Sequence, residues 1–525
     1  MTLMRGDPLS WFAKAGVFTC LLASWSLTPD AWGQIQIDVQ PRMGQPADGL
    51  TPAELARFEE GKLQFDHTFQ VGEGLGPTMN QDSCSSCHNN PVGGSGSITV
   101  TRFGFTDPKT LEFDPLAELG GSLLQAETIP VIGCPEVIPP EANTQQIRAT
   151  PSTLGFGLLE AIVDADLEAN ADNPPSPNVS GRVHIVEPLE APGTFRVGRF
   201  GWKAQVATVL TFSGDASLNE MGITNDLVMT ENAPNGDEAV LAFCDTVADP
   251  EDTGPVGTRF IDKITDFQRF LAQPPQTPKS GMTGEVIFDQ IGCTDCHIAS
   301  FTTPDNPKLE SALRNKTIKP YSDFLLHDIG GTLFDGIQQG DATEAEIRTP
   351  PLWGLRIRDP MLHDASLSGG IFSTRVNQAI INHGQLGSES RPAVLAYQAL
   401  TQPQKDAVIA FLDSLGRAEF DHTGDNDIDD EDVTDFLACF NGPQGYTPDD
   451  ACAISDVNQD GNVDCFDYAG LRTAWSGANP PPDLPACAGV IPTVSQWGLM
   501  VMTALLGVAG GIVIRRRRAQ CPAGA

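Results

Sequence analysis

Apolar residues recur at helical spacing in several separate stretches of the chain. Thr51-Pro52-Ala53-Glu54 has the form of a capping box with proline at the first helical position, and Leu55, Phe58 and Leu63 supply an apolar stripe behind it. Gly284, Phe288 and Gly292 stand four apart, which predicts a helix with one closely packed face. Val408, Phe411, Leu412 and Leu415 fall at i, i+3, i+4 and i+7, and Gly416 follows as a stop. Strand signals are rarer: Arg182–Val186 and Thr194–Phe200, around Ala191-Pro192-Gly193, predict one small hairpin. The pattern is that of a mainly α chain with long acidic and proline-rich insertions.

Both ends read differently. Arg5 and Lys14 precede an apolar run, Ala15–Leu27, and a small-residue exit at Ala31-Trp32-Gly33, so residues 1–33 have the layout of a signal peptide. At the other end, Ile491-Pro-Thr-Val-Ser-Gln-Trp-Gly498 leads into apolar residues and then Arg515–Arg518. Trp497–Ile514 spans about 27 Å as a helix, just enough for a hydrocarbon core, and the arginines keep their end cytoplasmic. Residues 491–518 resemble the C-terminal sorting tags that open with an Ile-Pro-Thr-Leu-like motif, which are similar to substrates of exosortase-type enzymes. The chain is thus expected to be exported to the periplasm, envelope or cell surface, held in the membrane by this segment unless it is cleaved.

The formal charge of −36 argues against nucleic-acid binding and against docking on anionic lipid. Twelve cysteines suit an oxidising compartment or covalent cofactor attachment. Cys20 leaves with the signal and Cys521 lies beyond the arginines. Cys134 pairs plausibly with Cys244, while Cys439, Cys452, Cys465 and Cys487 allow three connectivities.

The remaining four form Cys84-Ser-Ser-Cys87-His88 and Cys293-Thr-Asp-Cys296-His297. Cys-x-x-Cys-His is the attachment motif of c-type haem: two thiols on one turn reach the vinyl groups and the next His supplies the proximal iron ligand. Thioredoxin-like redox use needs no His, and zinc needs a second Cys/His pair nearby, which the sequence does not supply. Two covalently attached haems c are expected, with His88 and His297 proximal. The halves echo each other further, since Arg148-Ala-Thr-Pro151-Ser-Thr-Leu154-Gly155 follows the first motif and Arg348-Thr-Pro350-Pro-Leu352-Trp-Gly354 the second.

Gly74-Leu-Gly-Pro77, Gly157-Leu-Leu-Glu160-Ala161, Val197-Gly-Arg-Phe-Gly-Trp-Lys203, Glu220-Met-Gly-Ile-Thr224 and Leu325-Leu-His-Asp328 resemble blocks of the bacterial di-haem oxidoreductase family, peroxidase-like or thiol-oxidoreductase-like proteins. So do Arg348–Gly354, Leu362-His363-Asp364 and Asn382-His383-Gly384, and the resemblance covers roughly residues 48–416. It implies two tandem cytochrome c-like haem domains, 48–225 and 280–416, with 226–279 as linker or insertion. It also implies that His383 is the second haem's distal ligand, with His363 and Met361 as runners-up. Glu220 stands where di-haem peroxidases carry their active-site acid, with Met221 as the rival sixth ligand of the first haem. The Gln those peroxidases carry about ten residues earlier is replaced by Leu210. Arg148, Arg199, Lys203 and Arg348 are candidates to pair with haem propionates.

One motif lies beyond the haem region. Asp456-Val-Asn458-Gln-Asp460-Gly461-Asn462-Val-Asp464-Cys-Phe-Asp467 places oxygens at the calcium-loop positions with Gly at the sixth. Asp421 to Asp432 is a looser copy, keeping Asp425 but with Thr423 at position 3 and Asn426 for the Gly. Paired loops ending in Asp resemble a dockerin-type repeat, so residues 417–487 are expected to bind Ca2+ through Asp421, Asp425, Asp432, Asp456, Asn458, Asp460, Asn462 and Asp467. A cohesin-like or cell-surface partner would follow from that resemblance. The expectation is a di-haem c-type oxidoreductase taking electrons from a redox partner or small donor at the second haem and reducing peroxide or a similar oxidant at the first. A pure electron carrier and a surface scaffold acting through the dockerin-like part remain the alternatives.

Overall fold

The computed structural model describes residues 37–130, 134–177, 179–442 and 445–487. The expected signal peptide and the C-terminal segment 491–518 lie outside them. Among the described residues no helix is long and apolar enough to cross a membrane. The protein is mainly helical with a few small sheets, the largest a three-stranded one in which Thr99–Thr106 pairs on one side with Phe113–Asp114 and on the other with Thr144–Ala149.

Helix α1 (Pro52–Phe65) starts with the expected box: Glu54 N donates to Thr51 Oγ1 at 3.3 Å and Thr51 N to Glu54 Oε2 at 2.7 Å. Its buried face is not the expected one. Leu55 and Leu63 are exposed, whereas Phe58, Gly61 and Phe65 are buried. The reason is Gly61, where a Cβ would stand 2.2 Å from the Lys263 carbonyl oxygen, so a second helix crosses α1 in near-backbone contact.

Short α2 (Cys84–Cys87) holds the first Cys-x-x-Cys turn, and α3 (Phe156–Ala161) and α4 (Asp164–Asp172) follow the sheet. The expected hairpin is present but shorter, Ile185–Val186 against Arg196–Val197, because Arg182 bridges instead to Leu326 and Phe200 to Val206. Helix α5 (Val209–Met221) carries Glu220 near its end.

After α6 (Glu238–Cys244) comes α7 (Phe260–Phe270), which crosses α1 at Gly61. It lies within the stretch 226–279 that the sequence suggested as linker or insertion. Phe260, Ile261, Ile264, Phe267 and Phe270 are buried in one core with Phe58 and Phe65. Phe267 meets Phe58 and Phe65 at ring separations of 5.2 and 4.8 Å. Helix α7 is thus the closing helix of the first half.

The second half uses the same device. Helix α8 (Thr283–Gln290) is crossed at Gly284 by α11 (Gln402–Ser414), where a Cβ would stand 1.9 Å from the Ala407 oxygen. Between them run α9 (Phe372–His383) and α10 (Arg391–Ala399). Val408, Phe411, Leu412 and Leu415 of the expected closing helix are all buried. In both halves a Gly-x-x-x-Phe step seats the helix, Gly61–Phe65 and Gly284–Phe288. Each Phe ring then faces the following motif's histidine, at 5.9 Å from His88 and 6.0 Å from His297.

Residues beyond 416 form a small core around Phe420, Ile428, Phe436, Val463, Tyr468 and Leu471, from α12 (Asp430–Cys439) and α13 (Cys465–Ala474). Cys439–Cys452 and Cys465–Cys487 staple it, which resolves the three open connectivities, and Cys134–Cys244 is bonded as expected. Because Cys134 and Cys244 are 110 residues apart, cutting that bond releases a long loop. The Cys134→Ala, Cys244→Ala variant is expected to lose about 2–5 kcal/mol of stability in denaturant titration.

Candidate functional site

The two Cys-x-x-Cys-His motifs share a backbone. Ser83 caps α2 by accepting from Ser86 N at 3.2 Å, and the His88 N–H closes the turn on the Cys84 oxygen at 3.0 Å. His297 N–H closes on the Cys293 oxygen at the same 3.0 Å, although Cys293–Asp295 is a 3-10 turn. Cys84, Cys87, Cys293 and Cys296 are unpaired thiols, and every other described cysteine is in a disulfide.

Each histidine is oriented from behind. His88 Nδ1 lies 3.1 Å from the Gly94 carbonyl, with the Pro151 carbonyl also near the ring. His297 Nδ1 lies 2.9 Å from the Tyr321 carbonyl. A carbonyl on Nδ1 fixes the tautomer and leaves the Nε2 lone pair free to meet a metal. Burial lowers both imidazoles to about 4, so they are neutral at pH 7 as metal ligation requires.

Cys293, Cys296 and His297 line a cavity of ≈ 350 Å³, and Met361, His363 and His383 line it too. His383 ends α9, with Nδ1 held 2.6 Å from the Ala379 carbonyl, and it lies close enough to His297 for the two rings to interact electrostatically. Buried His363 Nε2 has no partner among the described residues. The other histidines are satisfied: His184 between the Lys203 carbonyl and Asp341 N–H, His422 on Ser455, and His67 on Glu73.

His327 also borders the cavity but is locked, with Nε2 2.8 Å from Asp323 and Nδ1 3.0 Å from Glu389. Burial works against its charge, but these two carboxylates outweigh burial and raise it to about 12. Burial likewise pushes Glu389 up, yet His327 and the N–H groups of Ser180 and Asp328 hold it down at about 2. A depressed carboxylate adds stability above its ordinary pKa and loses it as pH falls through the folded value. A raised histidine adds it below pH 6.5 and loses it towards 12. The pair therefore stabilises most between about pH 4.5 and 6.5, and Glu389→Gln is expected to remove about 1–2 kcal/mol there after solvent screening. Denaturant midpoints of both proteins measured from pH 3 to 9 check this, since the difference should shrink at both ends.

The cavity's charge is uneven. Arg148 and Lys203 both bind Asp335, and Arg199 binds Asp164, so those three arrive already paired with carboxylates. Arg348 donates only to the Gly201 and Thr349 carbonyls. Arg358, which the sequence reading passed over, donates only to the Pro351 and Trp353 carbonyls. Neither forms an ion pair among the described residues, and buried guanidinium groups without anions are costly. Two unpaired arginines, two thiols and the histidines His297, His363 and His383 around one largely apolar cavity form a donor set that fits a haem with its two propionates.

Glu220 sits by the first motif. Asn80 N and Gln81 N donate to its carbonyl at 2.8 and 3.1 Å, and Asn80 Nδ2 donates to Oε2 at 2.8 Å. This clamps the end of α5 to the segment leading into Cys84. Burial pushes the carboxyl up to about 7. The charge of Glu220, after burial, also contributes to pushing the Cys87 thiol up to about 12. Arg102, not singled out in the sequence, is close enough to act electrostatically on Glu220, and its Nε has no partner among the described residues.

A family model described as "Di-haem oxidoreductase, putative peroxidase" matches residues 143–415, just over half of the chain. The chain belongs to that family. The match of this di-haem oxidoreductase to its family takes in the Arg148–Gly155 and Arg348–Gly354 blocks and the second Cys-x-x-Cys-His motif, and it supports haem as the cofactor. The IPTL-CTERM motif model matches residues 491–518, which marks the protein as exported and sorted to the cell surface. No curated protein matches the chain. Among solved structures, a "MauG-like protein associated with microbial copper homeostasis" aligns at 15% identity and TM-score 0.33, over 73% of this chain and 95% of that one. Hydrazine synthase of Kuenenia stuttgartiensis aligns at 12% and 0.27, over 78% and 100%. At those scores neither likeness decides the fold or the activity of this di-haem oxidoreductase.

Proposed function

We propose that this di-haem oxidoreductase is a c-type enzyme that passes electrons from its second haem to its first, where peroxide or a similar small oxidant is reduced. The observation that carries the reading is Glu220, a carboxyl that burial raises to about 7 and that Asn80 clamps to the segment leading into the first motif. In this reading Cys84, Cys87, Cys293 and Cys296 attach the haems, His88 and His297 hold their irons, and His383 is the second distal ligand. Bound haem would supply electron storage and an iron at which an oxidant could be reduced. The chain's own residues do the rest: Glu220 holds and releases a proton at Oε1 or Oε2, Asn80 aims it, and Arg348 and Arg358 neutralise propionates. The first haem domain extends to the end of α7 rather than stopping at 225.

Residues 417–487 are read as the calcium-binding, dockerin-like part. In both loops the first Asp accepts from the N–H of position 6, Asp421 from Asn426 at 3.2 Å and Asp456 from Gly461 at 2.8 Å. Both sixth residues have left-handed backbone, φ 71° and 82°, so Asn426 does the work of the usual glycine. Asp432 and Asp467 accept from Asp429 and Asp464, which also cap the following helices. Burial, with Asp456 and Asp464 adding, pushes Asp467 up to about 6, the signature of crowded carboxylates that a cation would relieve.

Maturation in a host able to attach c-type haem, followed by a covalent haem count and EPR, tests the proposal. Two haems with one high-spin ferric signal support it. Two low-spin signals that persist after half-reduction favour the electron carrier, and no covalent haem overturns both.

A further inference from the structure

Past the end of the helix that carries Glu220, three acidic side chains from two loops converge. Glu231, Asp249 and Glu251 each offer an oxygen, and these oxygens lie within 4.8 Å of one another. Oxygen ligands about 2.4 Å from one calcium ion stand at most about 4.8 Å apart, so the three oxygens meet the separation that sharing one ion requires. Glu231 is only 6% exposed, yet its Oε2 has no hydrogen-bond partner among the described residues, and the same is true of Glu251 Oε1. Buried carboxylate oxygens without a donor are costly, and among the described residues no lysine or arginine forms an ion pair with any of the three. The charges acting on Glu231 come from Glu251, Asp249 and Asp245, all negative.

A fourth oxygen completes the group. The Thr224 hydroxyl, fully buried, lies within hydrogen-bond reach of both Asp249 Oδ1, at 2.9 Å, and Glu251 Oε2. It carries one proton and can donate to only one of them. Asp249 is exposed, which gives an ion a way in from solvent. We propose that Glu231, Asp249, Glu251 and the Thr224 hydroxyl form a binding site for a hard divalent cation, calcium in an exported protein, distinct from the loops beyond residue 416.

The placement gives the ion a purpose. Thr224 lies just past Gly222, where α5 ends after Glu220, and Thr224 N donates to Glu251 at 2.8 Å. Asp252 N donates to the Thr224 carbonyl at 3.0 Å, and its carboxylate accepts from Phe260 N and Ile261 N at the start of α7. A cation here ties the end of the Glu220 helix to the helix that closes the first half.

The test is elemental analysis of calcium bound by the full haem-loaded chain against the Glu231→Gln, Glu251→Gln double variant, with thermal midpoints taken with calcium and with chelator. The expected result is one calcium fewer per chain in the variant. Calcium should raise the parent's midpoint more than the variant's, and the chelated variant should melt no lower than the chelated parent, because a repulsion has been removed. Equal calcium counts would overturn the site. So would a chelated variant that melts lower, since the carboxylates would then serve as plain structural acceptors.

Discussion

Glu220→Gln is expected to cut peroxide turnover by about 10²–10⁴-fold, the usual share of a positioned general acid, while leaving the haem content unchanged. The substitution is nearly isosteric and keeps the oxygen that accepts from Asn80 Nδ2, so the clamp on the segment before Cys84 survives. What it removes is a carboxyl that burial has pushed up to about 7, where it is ready both to hold and to give a proton. Asn80→Ala is expected to do less, because Glu220's backbone carbonyl still accepts from residues 80 and 81. Steady-state turnover with a reduced small-molecule donor, alongside the optical spectrum, separates the cases. Turnover of Glu220→Gln within about threefold of the parent would remove Glu220 from proton transfer and reopen Met221 as a ligand.

The two Cys-x-x-Cys-His turns were legible because their residues are contiguous, and contiguous motifs survive without a structure. The same holds for the Thr51–Glu54 cap and for the closing helix at 402–414, whose signals each fit within about a dozen positions. Features that depend on what lies across an interface were not legible. Leu55 and Leu63 looked like a core face by hydropathy, but proximity is set by the side chain that is missing at Gly61, and the core follows the glycine. Helix α7 has apolar residues at 260, 261, 264, 267 and 270, a clear helical period, yet it was hidden by acidic and proline-rich flanks. Which arginines stay unpaired cannot be read from a chain in which Asp335 is far in sequence from both Arg148 and Lys203. The Glu231, Asp249 and Glu251 cluster is spread over two loops for the same reason.

The glycine crossings give the second large effect, and its sign is the informative part. Replacing a mid-helix glycine by alanine ordinarily stabilises by about 0.5–1 kcal/mol, because the unfolded chain loses freedom and the helix gains a better former. At Gly284 the opposite is expected. A Cβ there would stand 1.9 Å from the Ala407 oxygen and 2.8 Å from Phe411 Cβ, against a normal contact of roughly 3.5 Å, so α8 and α11 must separate by more than an ångström. Overpacking of that kind costs about 1–3 kcal/mol, which outweighs the propensity gain. The displacement also reaches the cofactor, because Phe288, one turn on from Gly284, packs on both Phe411 and His297. Gly284→Ala is therefore expected to lower the denaturant midpoint and to leave the second centre short of haem while the first stays loaded. Gly61→Ala should show the converse loss at the first centre, since its Cβ meets Lys263 O at 2.2 Å and Phe65 packs on His88. Gly72→Ala, with nothing within 4 Å, is the control expected to change neither quantity. If Gly284→Ala proved as stable as the control and carried two haems, the crossing would not be what seats the second haem.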